Sequence, residues 1–398
     1  MTWGNEKLTT MAPPTSEFTN FLPHSTTQLA KQCNVPLALL DAIVARAIDP
    51  YVEFQIRKNT NGFRTIAAPI AEYRPVLQTI LGYLKPDFLH PAAFAYVQGR
   101  SVVNCAKVHE GMSWGVKVDI KDFFGSINED MVYRSLTSIQ VDGKRARLIA
   151  ALCTRISARE PGVISKRHGD LEPVFGAAKR RFKRLGVLPQ GSPTSGFLAN
   201  LVASDIDSEI SAFCRHSELQ YTRYSDDIVI SSKYENFDRE YALKIVAFIR
   251  ATLNSKGFTL NTKKTRIMSP GSRKQVLGLL VDEPGVRLTK EKRRKIEATL
   301  RGIELFGLQA HAEHNIRRSG FEESSDVIQT FMNHFWGQVA YVIDVDKKFA
   351  QHILKRIVTI SQKEPYFSAD TVGKAYAQSA MKLMQCLAPS MTENFIVY

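Results

Sequence analysis

The chain has 398 residues, of which 44% are apolar, and it carries a formal net charge of +14 with an isoelectric point near 9.5. This length and apolar content exclude a chain that is disordered over most of its length and suit a globular protein of two or three domains or of one large composite domain. The positive charge is clustered, which favours nucleic acid as a partner over the alternative of a generally basic, soluble surface.

Cysteine usage and hydropathy indicate where the protein works. The five cysteines lack the paired spacing of a zinc finger or a disulfide framework, which favours a reducing compartment. No uncharged apolar run approaches the roughly 20 residues that cross a bilayer, and no secretory signal pattern is found at the N-terminus. We therefore expect a cytoplasmic protein with no membrane partner.

In chain order, the first predicted elements are an arm, two helices and a hairpin. Residues 1 to about 26 are rich in Thr, Ser and Pro, as is typical of a loosely ordered arm. Apolar spacing over about 27–47 predicts two helices broken near Pro36. Two short apolar segments then flank a polar, glycine-containing turn, which predicts a β-hairpin that carries Lys58 and Arg64.

The next predicted element is a strand with one apolar face. From Trp114 to Ile120, valines alternate with Lys117 and Asp119, and Asp119 falls near the end of the strand. After it, Asn128 followed by two acids predicts a helix N-terminus.

Two further helices flank a second hairpin. The Gln190–Pro193 segment predicts a helix start, with its serine as cap and its proline in the first turn. An amphipathic helix is predicted over about 242–253. Between them, strand-like segments flank the Tyr224–Asp227 tip. This order, continued by short strands up to about residue 281, predicts a split βαβ arrangement with an antiparallel sheet backed by helices.

The Tyr224–Asp227 tip contains adjacent carboxylates, Asp226 and Asp227. Such neighbours repel each other unless a cation lies between them, although aspartate pairs also occur in ordinary turns. In the predicted sheet, Asp119 can lie beside this tip. Two-metal phosphoryl transfer needs carboxylates from separate strands, which hold cations roughly 3.5–4 Å apart at the attacking and leaving oxygens. Asp119 and Asp226 therefore predict a two-metal centre, with Asp227 as a supporting ligand or electrostatic partner.

Three segments in this order resemble the palm motifs of reverse transcriptases: Val118–Phe124, Leu188–Pro193 and Tyr224–Asp227. The resemblance extends over about residues 50 to 345. It implies an α+β fold, a right-hand polymerase with fingers, a split-βαβ antiparallel palm and a helical thumb.

Within that superfamily, the chain looks most like bacterial retron-type and related defence-associated enzymes, on Gly99–Val103 and Val276–Leu279. It departs from their usual pattern at three positions. Cys105 stands in the register of an asparagine, Leu277 replaces a threonine, and Gly196 stands where a proline commonly closes the glutamine–glycine motif.

The resemblance implies a division of the chain into four regions. These are an N-terminal arm with helices (1–48), fingers (49–112), a palm (113–284) with a fingers insertion near 155–187, and a helical thumb with a C-terminal extension (285–398). In the thumb, an aromatic stripe from Phe331 to Tyr341 is more typical of a core than of a base-stacking platform.

Carried over by motif, the resemblance assigns Asp119, Asp226 and Asp227 as catalytic carboxylates that bind two Mg²⁺ ions, with the Ile120 carbonyl as a further ligand. Phe124 matches the bulky residue beneath the nucleotide sugar. A ring there would clash with a ribose hydroxyl and select dNTP substrates, and the alternative is an ordinary core aromatic.

The remaining nucleotide-binding assignments also follow from the resemblance. Lys58 and Arg64 match fingers residues that hold the triphosphate, although a solvated hairpin would use the same residue types. Gln190 and Gly191 match a loop that lets nucleotide and template approach the backbone. Lys264, or the lysine before it, matches a proton donor to pyrophosphate.

Two basic tracts are candidates for contact with a template–primer backbone, although charge runs are also typical of solvated faces. The candidate nucleic-acid-binding residues in them are Arg181, Lys183, Arg184, Lys292, Arg293 and Arg294.

The resemblance thus implies an RNA-directed DNA polymerase that copies a cognate noncoding RNA into DNA, in a bacterial retron or anti-phage defence system. Its partners would be a structured noncoding RNA and an RNA–DNA hybrid, with an effector protein left open. Two alternatives remain: a defence polymerase that synthesises DNA without a template or from a protein primer, and a non-enzymatic RNA-binding scaffold.

Overall fold

The computed structural model describes residues 23–57, 62–84, 86–156, 185–283, 285–319, 327–361 and 363. These residues form two compact units. The first unit comprises the described residues up to 108 together with 113–270, and the second comprises 109–112 together with those from 271 onward.

The first unit contains ten α-helices and six strands within the described residues, together with short 3₁₀ helices at Pro86–Phe88 and Thr262–Lys264. Its helices are α1 Thr26–Cys33, α2 Leu37–Val44, α3 Arg74–Tyr83, α4 Val102–Val108, α5 Phe123–Ser126, α6 Glu129–Ser138, α7 Gly143–Cys153, α8 Ser195–Val202, α9 Ser204–His216 and α10 Arg239–Ser255. Its strands are β1 Tyr51–Arg57, β2 Phe63–Pro69, β3 Trp114–Asp119, β4 Gln220–Tyr224, β5 Asp227–Ser232 and β6 Arg266–Met268.

The central sheet of the first unit has the strand order β4-β5-β3-β6, and each neighbouring pair is antiparallel. Its valine and isoleucine side chains form the core, and Val116, Val118, Ile228 and Ile230 are fully buried. Helix α10 packs against the sheet, which fits its buried stripe at helical spacing. The predicted antiparallel sheet backed by helices is confirmed.

The local signals at helix ends were correct in two cases. The pair α1 and α2 is separated near Pro36, where Asn34 adopts a left-handed conformation with φ of 53°. The side chain of Asn128 accepts a hydrogen bond from the backbone N–H of Met131, as an N-cap does.

The predicted helix start at Ser192 was wrong. Helix α8 begins at Ser195, and the Ser192 hydroxyl instead pairs with the hydroxyls of Thr194 and Tyr51. The Ser195 hydroxyl donates to the Pro189 carbonyl, which leaves the preceding residues as a turn. The tertiary hydrogen bond from Tyr51 and the local turn therefore replace the capping that the sequence predicts at Ser192.

The second unit contains a small sheet and a set of helices in its described residues. Strands β7 Gln275–Val276, β8 Leu279–Leu280 and β9 Arg287–Leu288 form an antiparallel sheet of their own. The order of elements in the sequence predicted that the short strands before residue 281 belong to the palm, but they belong to the second unit. Strands β7 and β8 are joined by a turn in which Leu277 and Gly278 have positive φ. The four predicted domain boundaries stay predictions.

The helices of the second unit are α11 Lys290–Phe306, α12 Leu308–Ser319, α13 Val327–Val345 and α14 Lys347–Ser361. Phe331, Phe335, Trp336 and Val339 of α13 are buried, so the aromatic stripe is core as expected. None of the helices in the described part of the chain has the length and apolar content that a membrane span requires.

Candidate active site

The tip of the hairpin between β4 and β5 is a tight turn. Tyr224 pairs with Asp227, which leaves Ser225 and Asp226 as the two turn residues, and Ser225 adopts a left-handed φ of 59°. Asp227 is thus the first residue of a strand, whereas Asp226 lies at the tip. This difference separates two acids that are adjacent in the sequence.

A buried ion pair anchors this hairpin from behind. Arg223 and Asp207 are both fully buried and are joined by two hydrogen bonds of 2.7 and 2.8 Å. Arg223 also donates to the Ser225 carbonyl, at 3.1 Å, and to the Asn200 side chain. The guanidinium therefore fixes the turn that carries the acids.

The sheet register brings the three acids together. Asp119 is paired with Asp227 across the β3–β5 ladder, where facing Cα atoms lie about 4.5–5.5 Å apart. The backbone N–H of Ile120 donates to the Asp226 carbonyl at 2.9 Å. Residues separated by more than 100 positions in the sequence thus share one end of the sheet.

Two lysines bind carboxylates of this group. The Lys264 ammonium lies 2.7 Å from Asp119 Oδ2, and the Asn261 amide donates to Asp119 Oδ1 at 2.9 Å. The Lys117 ammonium lies 3.1 Å from Asp227 Oδ2. The hydrogen bond to Asp119, and with it the charge of the neighbouring acids, raises the pKa of Lys264. Both lysines neutralise part of the negative charge.

Asp226 differs from its two neighbours in its electrostatics. Burial raises the pKa of Asp226, and the negative charges of Asp119 and Asp227 raise it further. A raised carboxylate pKa among like charges is the condition that a bound divalent cation relieves.

The donor set fits Mg²⁺ chemically, because it consists of hard carboxylate oxygens. As the side chains stand, however, no group of three or more His, Cys, Asp or Glu residues within the described ranges is arranged to hold a metal ion. Lys264 and Lys117 hold the carboxylates of Asp119 and Asp227 in ion pairs. These carboxylates would have to turn from the lysines to the metal.

A cavity of about 530 Å³ in the first unit contains several of the predicted nucleotide-binding residues. Phe124, Gln190 and Gly191 line it, together with Tyr96 and Ile66. Phe124 is half-buried and packs against Phe123 and Tyr96. The structure therefore places three of the predicted residues in one pocket.

Gly191 is required by the protein's own backbone. It has a φ of 128°, and a Cβ atom there would lie 2.8 Å from the Ala67 carbonyl oxygen. The Ala67 N–H donates to the Gln190 carbonyl at 2.8 Å, which joins this loop to β2. The sequence predicts that the missing side chain admits nucleotide and template, and the structure adds close packing against β2 as a reason for glycine.

The other nucleotide-binding candidates are dispersed. Arg64 is exposed on β2, Lys264 lies on Asp119 rather than in the cavity, and Lys58 falls outside the described residues. The roles of these three residues stay predictions.

The structure describes three of the six candidate nucleic-acid-binding residues, and these three differ in exposure and in their partners. Arg181, Lys183 and Arg184 lie outside the described residues. In α11, Arg293 is paired with Asp346, and Lys292 packs on the Tyr341 ring with its ammonium 4.9 Å from the ring centre.

Arg294 is the exposed one of the three candidates in α11. It lines a groove of about 820 Å³ in the second unit, in which basic side chains outnumber acidic ones. The other basic residues of the groove are Arg273, Arg287, Lys290 and Lys295.

Sequence reasoning missed several residues of the site. The alternation of side chains along β3 could have identified Lys117, since Lys117 lies two residues before Asp119 and therefore shares its face of the strand. Asn261 and the Arg223–Asp207 pair gave no such signal, because their partners are distant in the sequence. Tyr96 also gave none, since it follows an irregular segment.

The fold described above, an antiparallel sheet at one end of which acids from two neighbouring strands meet, is the one that the sequence predicts for a polymerase palm. Residues 56–299 match the sequence model of the family described as "Reverse transcriptase (RNA-dependent DNA polymerase)", and the chain belongs to this family. The predicted polymerase fold and the RNA-directed DNA polymerase activity are thereby confirmed.

The chain is also similar to curated retron enzymes. It is 26% identical over 354 residues to the Retron Ec86 reverse transcriptase of Escherichia coli, a match that covers 87% of this chain and 92% of that one. The Retron Ec83 reverse transcriptase of Escherichia coli is 24% identical over 316 residues, with 78% and 88% covered. The Retron Mx162 reverse transcriptase of Myxococcus xanthus is 28% identical over 262 residues, and the match covers 63% of this chain and about half, 52%, of the relative.

Among solved structures, the chain is similar to a foamy viral protease-reverse transcriptase in complex with double-stranded DNA. The TM-score is 0.41 at 13% identity, with 85% of this chain and 43% of that chain covered. Telomerase from Candida albicans, in complex with a telomeric RNA fragment, gives a TM-score of 0.36 at 13% identity, with 93% and 68% covered.

Proposed function

We propose that the protein is a retron-type reverse transcriptase that copies a structured noncoding RNA into DNA, with dNTP substrates and two Mg²⁺ ions. The observation that carries this proposal is the pairing of Asp119 with Asp227 across β3 and β5, with Asp226 at the adjoining turn. The retron names of the relatives support a place in a retron system. The noncoding RNA template and a role in anti-phage defence rest on the resemblance to retron-type enzymes. The unpaired cysteine spacing supports a cytoplasmic location.

In this proposal Asp119 and Asp226 would hold the metal ions, with the Ile120 carbonyl as a further ligand and Asp227 in support. Bound Mg²⁺ would supply Lewis-acid activation of the primer 3′-hydroxyl and charge neutralisation at the triphosphate. Lys117 holds the Asp227 carboxylate and limits the negative charge that remains around Asp226.

The other residues would bind the nucleotide and donate a proton to the leaving pyrophosphate. Lys58 and Arg64 would bind the triphosphate, as long cations on a hairpin can. The Phe124 ring would exclude a 2′-hydroxyl from the cavity. Lys264, whose pKa is raised by Asp119, stays protonated at neutral pH and would give a proton to the leaving pyrophosphate.

The proposal predicts that replacing the acids abolishes DNA synthesis without loss of the fold. We expect Asp119→Asn, and the double change of Asp226 and Asp227 to Asn, to lower RNA-templated dNTP incorporation at least about 10³-fold, because the metal-dependent part of catalysis is lost. Incorporation by the purified protein with Mg²⁺ would be measured on an RNA template with a DNA primer, and folding would be checked by thermal unfolding.

A matched control is Asp205→Asn, whose carboxylate is 81% exposed and 4.0 Å from Lys256. It should retain wild-type incorporation. Sequencing the products tests the template, since copied DNA complements the RNA supplied. Products unrelated to the RNA would instead support untemplated synthesis, and unchanged incorporation by the double variant would refute the assigned site.

A further inference from the structure

Tyr96 stands out at the rim of the cavity that contains Phe124. It is a bulky residue with a left-handed φ of 61°, a conformation that is unfavourable for residues other than glycine and that concentrates at functional sites. Its side chain is 55% exposed, although it is large and partly apolar. Neither intrinsic backbone preference nor core burial therefore explains this conformation.

The aromatic ring of Tyr96 contacts two of the motifs that build the site. It packs edge-on against Phe124, with ring centres 6.0 Å apart at an interplanar angle of 66°. It also lies directly on Gly196, where a Cβ atom would come within 2.8 Å of Tyr96 Cβ and Cδ1. The glycine at position 196, where the resembled motif commonly has proline, thus provides the space that the ring occupies.

The hydroxyl of Tyr96 reaches the third motif. It lies 3.2 Å from the Ser225 hydroxyl, within hydrogen-bond distance, and Ser225 precedes the two acids of the hairpin. One side chain therefore connects the Phe124 ring, the start of α8 and the turn that carries Asp226.

We propose that Tyr96 is a specificity-determining residue that positions the Phe124 ring for the selection of deoxynucleotides over ribonucleotides. This inference rests on the proposed function, since it assumes that Phe124 faces the nucleotide sugar. A ring excludes a hydroxyl only if it cannot move away from it, and an edge-on aromatic neighbour that is itself held at Gly196 and Ser225 restricts that movement. Tyr96 acts through Phe124 and is not assigned a role in the chemical step.

The test compares deoxynucleotide and ribonucleotide use by three variants. Tyr96→Ala removes the ring, Tyr96→Phe removes only the hydroxyl, and Tyr234→Ala is the control, because Tyr234 is 57% exposed and does not line this cavity. For each protein, kcat and KM would be measured with dGTP and with GTP on the same RNA template and DNA primer.

We expect Tyr96→Ala to lower the dGTP-over-GTP ratio of kcat/KM at least about tenfold, mainly through improved GTP use, with kcat for dGTP within about threefold of wild type. Tyr96→Phe should stay within about threefold of the wild-type ratio, since the ring remains, and Tyr234→Ala should not change it. A general loss of stability would lower kcat/KM for dGTP and for GTP together. A Tyr96→Ala protein that is folded but equally impaired with both nucleotides therefore contradicts the inference.

Gly196→Ala provides a second route that keeps Tyr96 in the chain. The added methyl group should displace the ring and lower the same ratio. In a Tyr96→Gly background, which removes the Cβ atom as well as the ring and suits the left-handed backbone, it should have no further effect, because the atoms that it displaces are gone. An equal effect of Gly196→Ala with and without the Tyr96 ring would overturn the proposal.

These outcomes separate the inference from the proposed function. If the wild-type protein does not incorporate dGTP on an RNA template, the proposed function fails. If it does, and Tyr96→Ala keeps both the wild-type ratio and the wild-type KM, the role of Tyr96 is refuted while the polymerase assignment stands.

Discussion

At the scale of single residues, the balance of charge in the site depends on which neighbour each acid has. Lys264 and Asn261 bind Asp119, and Lys117 binds Asp227. Asp226, in contrast, is affected mainly by its burial and by the negative charges of the other two carboxylates. A divalent cation held by these acids would compete with the lysines for the same oxygens, so its binding would be coupled to the opening of these ion pairs. We therefore regard the two lysines as part of the site.

Burial also sets the charge of His109, which is fully buried in the second unit and whose pKa falls from 6.5 to about 3. Between these pH values the unfolded chain binds a proton that the folded chain does not. The free energy of unfolding should therefore fall as the pH falls from 6.5 towards 3, by at most about 1.4 kcal/mol per pH unit from this group.

The measurement is urea unfolding at several pH values between 7 and 4. We expect His109→Gln to show a shallower loss of stability with acid than the wild type, because glutamine does not titrate. His216→Gln, at an exposed position, is the matched control. An identical pH slope in wild type and His109→Gln would show that this histidine is not the group responsible.

At the scale of elements, the hairpin of β4 and β5 depends on a helix that packs against it. Helix α9 supplies Asp207, which pairs with Arg223 and also accepts a hydrogen bond from the Tyr221 hydroxyl at 2.6 Å. Because Arg223 in turn donates to the Ser225 carbonyl, the position of α9 is transmitted to the turn that carries Asp226.

We expect Asp207→Asn to reduce the free energy of unfolding by about 3–5 kcal/mol, since it leaves a buried guanidinium without its counter-charge. The value would come from urea unfolding at pH 7. Asp205→Asn, on the same helix but exposed, should change the stability by less than about 0.5 kcal/mol. A reduction below about 1 kcal/mol for Asp207→Asn would mean that the ion pair is not needed to hold the hairpin.

At the scale of the whole molecule, the net charge of +14 becomes informative only when the basic side chains are sorted by whether they form ion pairs within the protein. Arg293 and Arg356 are held in internal ion pairs with Asp346 and Glu304. Arg294 and Lys290, in contrast, line the groove of the second unit. We propose that this groove contacts the phosphate backbone of the RNA.

If so, the affinity for RNA should depend on salt through these residues. We expect the Arg294→Ala and Lys290→Ala double variant to bind RNA more weakly. The slope of the logarithm of the association constant against log salt should become less negative by about 0.7–0.9 for each phosphate that the protein no longer neutralises. Fluorescence anisotropy with a labelled structured RNA at several salt concentrations measures this slope. The control Arg356→Ala should preserve it, and an unchanged slope in the double variant would exclude the groove.

Much of the fold and of the candidate site could be predicted from periodicity and motif order. Alternation in the Trp114–Ile120 segment predicted β3, and the order of three short motifs predicted that Asp119 would meet Asp226 and Asp227. The helix start at Ser192 was wrong, because the Ser192 hydroxyl accepts a hydrogen bond from the distant Tyr51 hydroxyl, a tertiary contact that a local signal does not report.

The sequence by itself determined which acids form the candidate site, which strands carry them and to which family the chain belongs. These properties depend on local backbone preference and on motifs that are read directly from the sequence. Only the tertiary structure decided that lysines bind Asp119 and Asp227, that Gly191 packs on β2 and that Tyr96 occupies the space above Gly196. These contacts join positions far apart in the chain, and their geometry is set by the packing of whole elements rather than by any local pattern.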